Sequence, residues 1–248
     1  MSLDLQSHEP NAVLFPSNAF DLPDVADSSA ALWVRPQVSG PEQLFRYKIV
    51  KRSLDVFLVL SICVLLLPVL TVIAAAVWIT SPGPILFSHR RIRRHGEFFT
   101  MWKFRTMCIN SGEVLERYLA AHPEARAEWR AMHKLKCDPR VTRVGRFLRR
   151  TSLDELPQLW NVLNGTMSLV GPRPIVAAEV EKYGEYFSDY CTVKPGITGL
   201  WQVSGRSELS YSQRVELDRQ YAQNWSLGGD AKILMRTWTC VVNRDGAY

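Results

Sequence analysis

Paired cysteines are missing from this chain. Its five, Cys63, Cys108, Cys137, Cys191 and Cys240, are scattered with no C-x-x-C pair, and the odd count disfavours a disulfide framework or a zinc site. Reduced thiols facing a cytoplasm fit this pattern. The basic-then-apolar order of a secretory signal is also missing, because the first residues are acidic and prolines come early, so the expectation is a protein that is not exported. Basic residues are almost absent from positions 1–44, where Arg35 stands alone against Asp4, Glu9, Asp21, Asp24, Asp27 and Glu42. Pro10, Pro16, Pro23, Pro36 and Pro41 break every periodic face there, so 1–44 reads as a mobile, acidic, proline-rich leader. No G-x-x-x-x-G-K-[ST] occurs, which excludes a P-loop kinase, and no internal repeat is found. Most telling, no charged residue lies between Val56 and Thr80.

What is present is a chain of 248 residues, 47% hydrophobic and 22% charged, enough for one ordinary domain with a real core. The net charge is +6 despite the acidic leader, so the remaining body is strongly basic and should attract phosphate in some form.

The uncharged run exceeds the roughly 20 apolar residues needed to cross a bilayer core. A buried soluble helix would need a polar face to show water, and this stretch has none. Arg46, Lys48, Lys51 and Arg52 precede it; Arg90, Arg91, Arg93 and Arg94 follow it closely. Both flanks therefore carry the cytoplasmic charge signature, whereas a spanning helix should show it at one end only. Pro68 offers a way out. It removes one backbone hydrogen bond in mid-run and clashes with the Val64 carbonyl, so a helix that enters, breaks at Pro68 and returns would leave both flanks on one face. A kinked spanning helix is the alternative. Residues 45–80 are thus expected to be a basic flank and a re-entrant, monotopic membrane helix.

Residues 81–248 should form a cytoplasmic catalytic domain, mainly α with a small β element. Ser81-Pro82-Gly83-Pro84 stops the membrane helix, and short strands are expected at 85–87 and 98–102 around a turn at His95-Gly96. A helix over 111–135, interrupted near Pro123, would turn Leu115, Leu119, Trp129 and Met132 inward. Further helices are expected over 141–150, 153–164 with Gly165 as its stop, 210–221 and 230–242; clusters at 171–174 and 195–199 mark ordered loops. In the last helix Ile233, Leu234, Thr237, Trp238 and Val241 share a face, which suits either an interfacial amphipathic helix or core packing.

The chemistry concentrates in Arg149-Arg150-Thr151-Ser152-Leu153-Asp154-Glu155-Leu156-Pro157-Gln158. Ser152-x-x-Glu155 has the spacing of a capping box, which would give Glu155 a structural task. The same geometry allows a functional one. Asp154 in a first helical turn would be held ionised by unpaired amides, which would also attract a phosphate, with Arg143, Arg146 and Arg149 or Arg150 forming a basic face beside it. A carboxylate attacking a phosphoryl group needs such cations, and a Mg²⁺ ion, to relieve charge repulsion.

From about Lys51 onward the chain resembles the bacterial sugar transferases, the monotopic polyprenyl-phosphate glycosyl-1-phosphate transferases. The blocks that carry the resemblance are Lys51-Arg52-Ser53-Leu54-Asp55, Lys103-Phe104-Arg105-Thr106-Met107, Ser152 to Gln158, Ser168-Leu169-Val170-Gly171-Pro172-Arg173-Pro174, Pro195-Gly196-Ile197-Thr198-Gly199 and Trp201-Gln202-Val203-Ser204-Gly205-Arg206. The resemblance implies transfer of a sugar 1-phosphate from a nucleoside diphosphate sugar to undecaprenyl phosphate, with release of the nucleoside monophosphate. By the same resemblance Asp154 is the nucleophile that forms a phosphosugar intermediate, and Glu155 holds Mg²⁺ with Asp154 or assists proton transfer. Lys103, Arg105, Arg149, Arg173 and Arg206 fall at phosphate- or nucleotide-binding positions, with Asp218 in a further family block. Partners implied are a UDP-sugar, most closely UDP-galactose or UDP-glucose as in exopolysaccharide-initiating enzymes, undecaprenyl phosphate and lipid of the bacterial inner membrane, with the catalytic domain on its cytoplasmic face. Homo-oligomerisation stays open, and no nucleic-acid reading motif is present. Two departures stand out: Arg93 where the family commonly has glycine, and Leu67 rather than serine before Pro68. A transferase moving only the sugar would, by family analogy, show Asp-x-Asp, which this chain lacks. The rival from another class is a membrane-anchored, non-catalytic binder of anionic lipid or nucleotide, separable by UMP release.

Overall fold

The computed structural model describes residues 46–132, 135–205 and 208–243. The leader 1–44 and Arg206 lie outside the described residues. The described residues fall into two compact units: those within 110–139 form one, and 46–109 with those within 140–243 form the other.

A π-helical turn, Arg46–Lys51, leads into α1, Arg52–Thr80, which is long and apolar enough to cross a membrane. The helix carries Pro68 within it rather than ending there. Proline deletes the one bond to the Val64 carbonyl while the bonds on either side persist, so any change of direction is a bend inside a single helix. A hydroxyl does sit at this turn, supplied one turn later than the family serine: Thr71 Oγ1 donates to the Leu67 carbonyl at 2.9 Å. Val59, Ile73 and Val77 are buried against the body, while Phe57, Val64, Leu65, Leu67 and Val72 lie exposed, an apolar surface suited to lipid.

Polar contacts fix the entry of α1. Lys51 pairs with Asp230. Arg52 donates to the carbonyls of Val162 and Leu163, and Asp55 accepts from Ser168 Oγ at 2.7 Å. The basic block before the apolar run is therefore a set of tertiary joints as well as a charge flank.

Strands β1, Leu86–Ile92, and β2, Phe98–Phe104, form an antiparallel hairpin in which Phe87 faces Lys103, His89 faces Met101 and Arg91 faces Phe99. Both are longer than the expected strands. The connection takes positive φ at His95 (68°) and Gly96 (75°), whereas Arg93 is extended at φ −115°, so no glycine is required at Arg93. In the separate unit, α2, Ser111–Ala121, and α3, Pro123–Met132, meet at Pro123 as expected, with Leu115 and Ala125 buried and Leu119 and Trp129 partly so.

Helix α4, Arg143–Thr151, starts where Thr142 Oγ1 accepts the Gly145 amide at 2.8 Å, and ends at Ser152. After a 3₁₀ turn, Leu153–Glu155, helix α5 covers Gln158–Leu163. Strands β3, Ser168–Val170, and β4, Gly196–Thr198, pair in parallel, so part of the expected 195–199 loop is a strand. Glycine is required here: a Cβ on Gly171 would lie 2.3 Å from the Lys194 carbonyl oxygen, and one on Gly196 would lie 2.1 Å from the Gly171 nitrogen. Short helices α6, Val180–Tyr183, and α7, Phe187–Tyr190, precede α8, Tyr211–Gln223, and α9, Leu227–Asn243. Ser210 and Gln213 form a capping box at α8. Of the apolar stripe on α9, Ile233 is buried and Leu234 packs on the core, while Trp238 is 72% exposed.

Candidate functional site

Asp154 is placed by two interruptions of helix. Ser152 adopts a left-handed conformation (φ 56°) that ends α4, and Pro157 has no amide with which to continue a helix from Leu153, so α5 begins only at Gln158. The expected continuous helix over 153–164 is thus two pieces, and Asp154 sits in the one-turn 3₁₀ segment rather than at an α-helix N-terminus. Its electrostatic support comes from side chains instead of a helix dipole. The capping box is absent too: the Ser152 side chain makes no cap bond, and Glu155 Oε1 accepts from Lys103 Nζ at 2.6 Å.

The two adjacent carboxylates are tuned in opposite directions. Burial pushes the Asp154 carboxyl above its ordinary value; Lys103 opposes, Glu155 adds to the rise, and Arg149 opposes again. For Glu155 burial also acts upward, but Lys103, Arg173 and Arg91 together hold it below its ordinary value. One carboxylate is basic and buried, and its neighbour is firmly ionised. Such a split is how one turn divides chemical roles between two like groups.

A polar cleft surrounds Glu155, lined by Arg91, Lys103, Gln158, Arg173 and Gln202 with the Gly196-Ile197 backbone. Glu155, Lys103 and Arg173 line this cleft; Asp154 and Arg149 are not in its lining, and Asp154 adjoins it through the charges of Lys103, Glu155 and Arg149. Arg149 stays on α4, where its Nε donates to Thr106 Oγ1 at 2.9 Å. Two of the expected substrate- or phosphate-binding residues, Arg105 and Asp218, are not in the lining of the cleft. Arg105 is buried at the exit of α1, where its side chain donates to the Ser81 carbonyl, and it does not line the cleft. Asp218 is buried behind Arg173, accepting from the Tyr183 hydroxyl at 2.7 Å, with burial pushing its pKa up to about 8 against the opposing pull of that bond and of Arg173.

Arg91, Gln158 and Gln202 escaped the sequence analysis as cleft residues. Strand alternation was the available signal for Arg91: Lys103 opposite Phe87 and Met101 opposite His89 place Lys103, Met101 and Arg91 on one face of the hairpin. The other face differs completely. Trp102 and Phe104 turn into an apolar hollow of about 1290 Å³, lined also by Leu70, Ala74 and Trp78 of α1 and by Leu156, Pro157 and Trp160. Strand β2 and the 153–158 turn thus separate a charged cleft from an apolar hollow that opens along α1.

Among the described residues no cluster of three or more His, Cys, Asp or Glu could hold a metal on protein ligands alone. The adjacent carboxylates of Asp154 and Glu155 do fit Mg²⁺, which commonly takes one or two carboxylates and completes its shell with phosphate oxygens and water.

The profile of the bacterial sugar transferases matches residues 46–244. A UDP-galactose-lipid carrier transferase of Erwinia amylovora is 52% identical over 201 residues, which is 81% of this chain and 42% of that protein. An undecaprenyl-phosphate galactose phosphotransferase of Salmonella typhimurium is 50% identical over the same shares, 81% and 42%. The exopolysaccharide production protein ExoY of Rhizobium meliloti is 47% identical over 198 residues, 80% of this chain and 88% of its own. The chain spans 42% of the length of the first two relatives. Because the family match runs from the turn that leads into α1 through the two-carboxylate turn to the end of α9, this chain belongs to the bacterial sugar transferase family.

Proposed function

We propose that this protein transfers a hexose 1-phosphate, galactose or glucose, from a UDP-sugar to undecaprenyl phosphate, releasing UMP, as the first membrane step of exopolysaccharide assembly. The observation that carries the reading is the partition at β2. A cationic cleft, about 10 Å³ as it stands, carries the charge to meet a donor diphosphate, an apolar hollow along α1 suits a polyprenyl chain, and the 153–158 turn runs between them, with Glu155 lining the cleft and Leu156 and Pro157 lining the hollow. The names of the relatives, a UDP-galactose-lipid carrier transferase and an undecaprenyl-phosphate galactose phosphotransferase, agree with both substrates.

The reaction runs by double displacement. Lys103 and Arg173 draw the donor diphosphate into the cleft and offset its charge. An Asp154 carboxylate oxygen attacks the phosphorus bearing the sugar; an O–P bond forms, the bond between the two phosphates breaks, and UMP leaves with the electron pair. Asp154 suits this role because burial makes its carboxylate more basic, while Lys103 and Arg149 counter that rise. An oxygen of undecaprenyl phosphate, its tail in the hollow, then attacks the same phosphorus and frees Asp154. Glu155 stays ionised beside Lys103. Asp154 and Glu155 would hold Mg²⁺, which when bound supplies positive charge against the diphosphate.

The catalytic domain is placed on the cytoplasmic face of the inner membrane, with α1 re-entrant, because basic residues flank both ends of the apolar run. Incubating the purified protein in lipid nanodiscs with undecaprenyl phosphate and a panel of UDP-hexoses tests the activity. Lipid-dependent UMP release with one of them is expected. Donor binding without any UMP release would leave a non-catalytic binder.

A further inference from the structure

We infer that Arg91, on β1, is a donor-binding residue whose guanidinium, together with that of Arg173, pairs with the diphosphate of the nucleotide. The inference rests on the substrate reading above. It begins with the strand register, which puts Arg91 on the same face of the hairpin as Met101 and Lys103 and so into the cleft.

The Arg91 side chain is only 20% exposed, and its position is fixed from one side: Nη1 donates to the Pro174 carbonyl at 3.2 Å, tying it to the Arg173-Pro174 loop. Its ion pair with Glu179 is a long one. Glu179 lies 3.8 Å away and is already engaged, accepting the Val176 amide at 3.0 Å. Nε is enclosed with no partner among the described residues. Arg93 Nε and Arg105 Nε are enclosed in the same way, so it is the place of Arg91 in the cleft lining, more than the open nitrogen by itself, that points to a ligand.

The neighbours point to an anion as that ligand. Burial first, and then the like charge of Arg173, pull the Arg91 pKa down. Arg91, Lys103 and Arg173 line the cleft with Glu155 as its lining carboxylate, and Glu155 is already bonded to Lys103. A pair of mutually repelling guanidiniums facing one cleft is relieved by a ligand with two adjacent anionic groups, which a diphosphate provides and their planar forks match.

UDP and uridine are the probes, titrated directly into wild type, Arg91→Gln, Arg91→Lys and Glu179→Gln in nanodiscs. Arg91→Gln should weaken UDP roughly tenfold or more and leave uridine unchanged, because only the diphosphate contact is lost. Arg91→Lys keeps the charge but not the fork and should fall between the two, which keeps the test open if the glutamine variant folds poorly. In turnover, KM for the UDP-sugar should rise while KM for undecaprenyl phosphate does not. Glu179→Gln should bind UDP as well as wild type or better. Unchanged UDP binding by Arg91→Gln, an equal loss for uridine, or the same loss in Glu179→Gln would overturn the assignment. Wild type that binds UDP yet never releases UMP would reject the transferase reading and leave Arg91 in place.

Discussion

Lys103 reaches from β2 to Glu155 at 2.6 Å, and this contact helps set the two neighbouring carboxylates apart. Asp154→Asn removes the attacking oxygen charge while keeping the shape of the turn. Its turnover should fall by several orders of magnitude, about 4 kcal/mol or more in barrier height, with thermal stability close to wild type. Steady-state UMP release measures it. Glu155→Gln tests the neighbour. With no capping box to lose, and with an amide oxygen still able to accept from Lys103, stability should change by about 1 kcal/mol or less while activity drops about a hundredfold. Near-normal turnover would return Glu155 to a structural task. At this scale the sequence was informative where residues are neighbours in the chain: Asp154, Glu155 and Lys103 were singled out from their blocks, and the structure brings the three together. Arg105 belongs to the same block as Lys103 yet lies apart from the cleft, because the block alternates on a strand and its exit. Lys103 points into the cleft, while Arg105, two residues on and past the end of β2, has turned to the Ser81 carbonyl.

Between elements, the least obvious feature is the left-handed Ser152 that closes α4. A non-glycine residue at φ 56° carries a conformational cost that glycine avoids, so Ser152→Gly should raise stability by about 0.5–1 kcal/mol, read from the denaturant midpoint. A drop would mean that the side chain holds the turn after all. Gly145→Ala should act in the opposite sense. A Cβ there would lie 2.0 Å from the Thr106 carbonyl oxygen, so α4 must move away from the strand exit that Arg149 grips. A loss of about 1–3 kcal/mol is expected, together with reduced turnover. Helix existence was legible for α2, α3, α4, α8 and α9, because caps and prolines act locally. The start of α5 was not, since Ser152-x-x-Glu155 looks like a cap until Lys103, 52 residues away, claims the carboxylate. The β3–β4 pair was hidden for a similar reason: its three-residue strands are defined by close backbone approach of Gly171 and Gly196 rather than by alternation.

Over the whole molecule, buried charge links stability to pH. Asp218 in the folded protein holds its proton up to about pH 8, whereas an unfolded aspartate releases it near pH 4, so between these values the folded state binds more protons. Its contribution is therefore fully present at low pH and lost as pH rises through that window. Thermal midpoints of wild type should fall across about pH 5 to 8, and Asp218→Asn, which cannot ionise, should show a flatter profile. Parallel profiles would contradict this. For topology, single cysteines at Lys48 and Arg94 in a background without reactive thiols should both resist periplasmic labelling; labelling of either would reject a re-entrant α1. Charge on both flanks was readable from the sequence, but the way α1 attaches was not, because Lys51–Asp230 and Asp55–Ser168 join residues more than a hundred positions apart. The most direct test of the central claim is covalent capture. Wild-type protein and Asp154→Asn are each incubated without lipid acceptor with a UDP-hexose labelled on the phosphate next to the sugar. The account predicts label and the mass of a hexose phosphate on the peptide containing Asp154, lost on adding undecaprenyl phosphate and absent from the variant. Active wild-type protein that never carries label would contradict it.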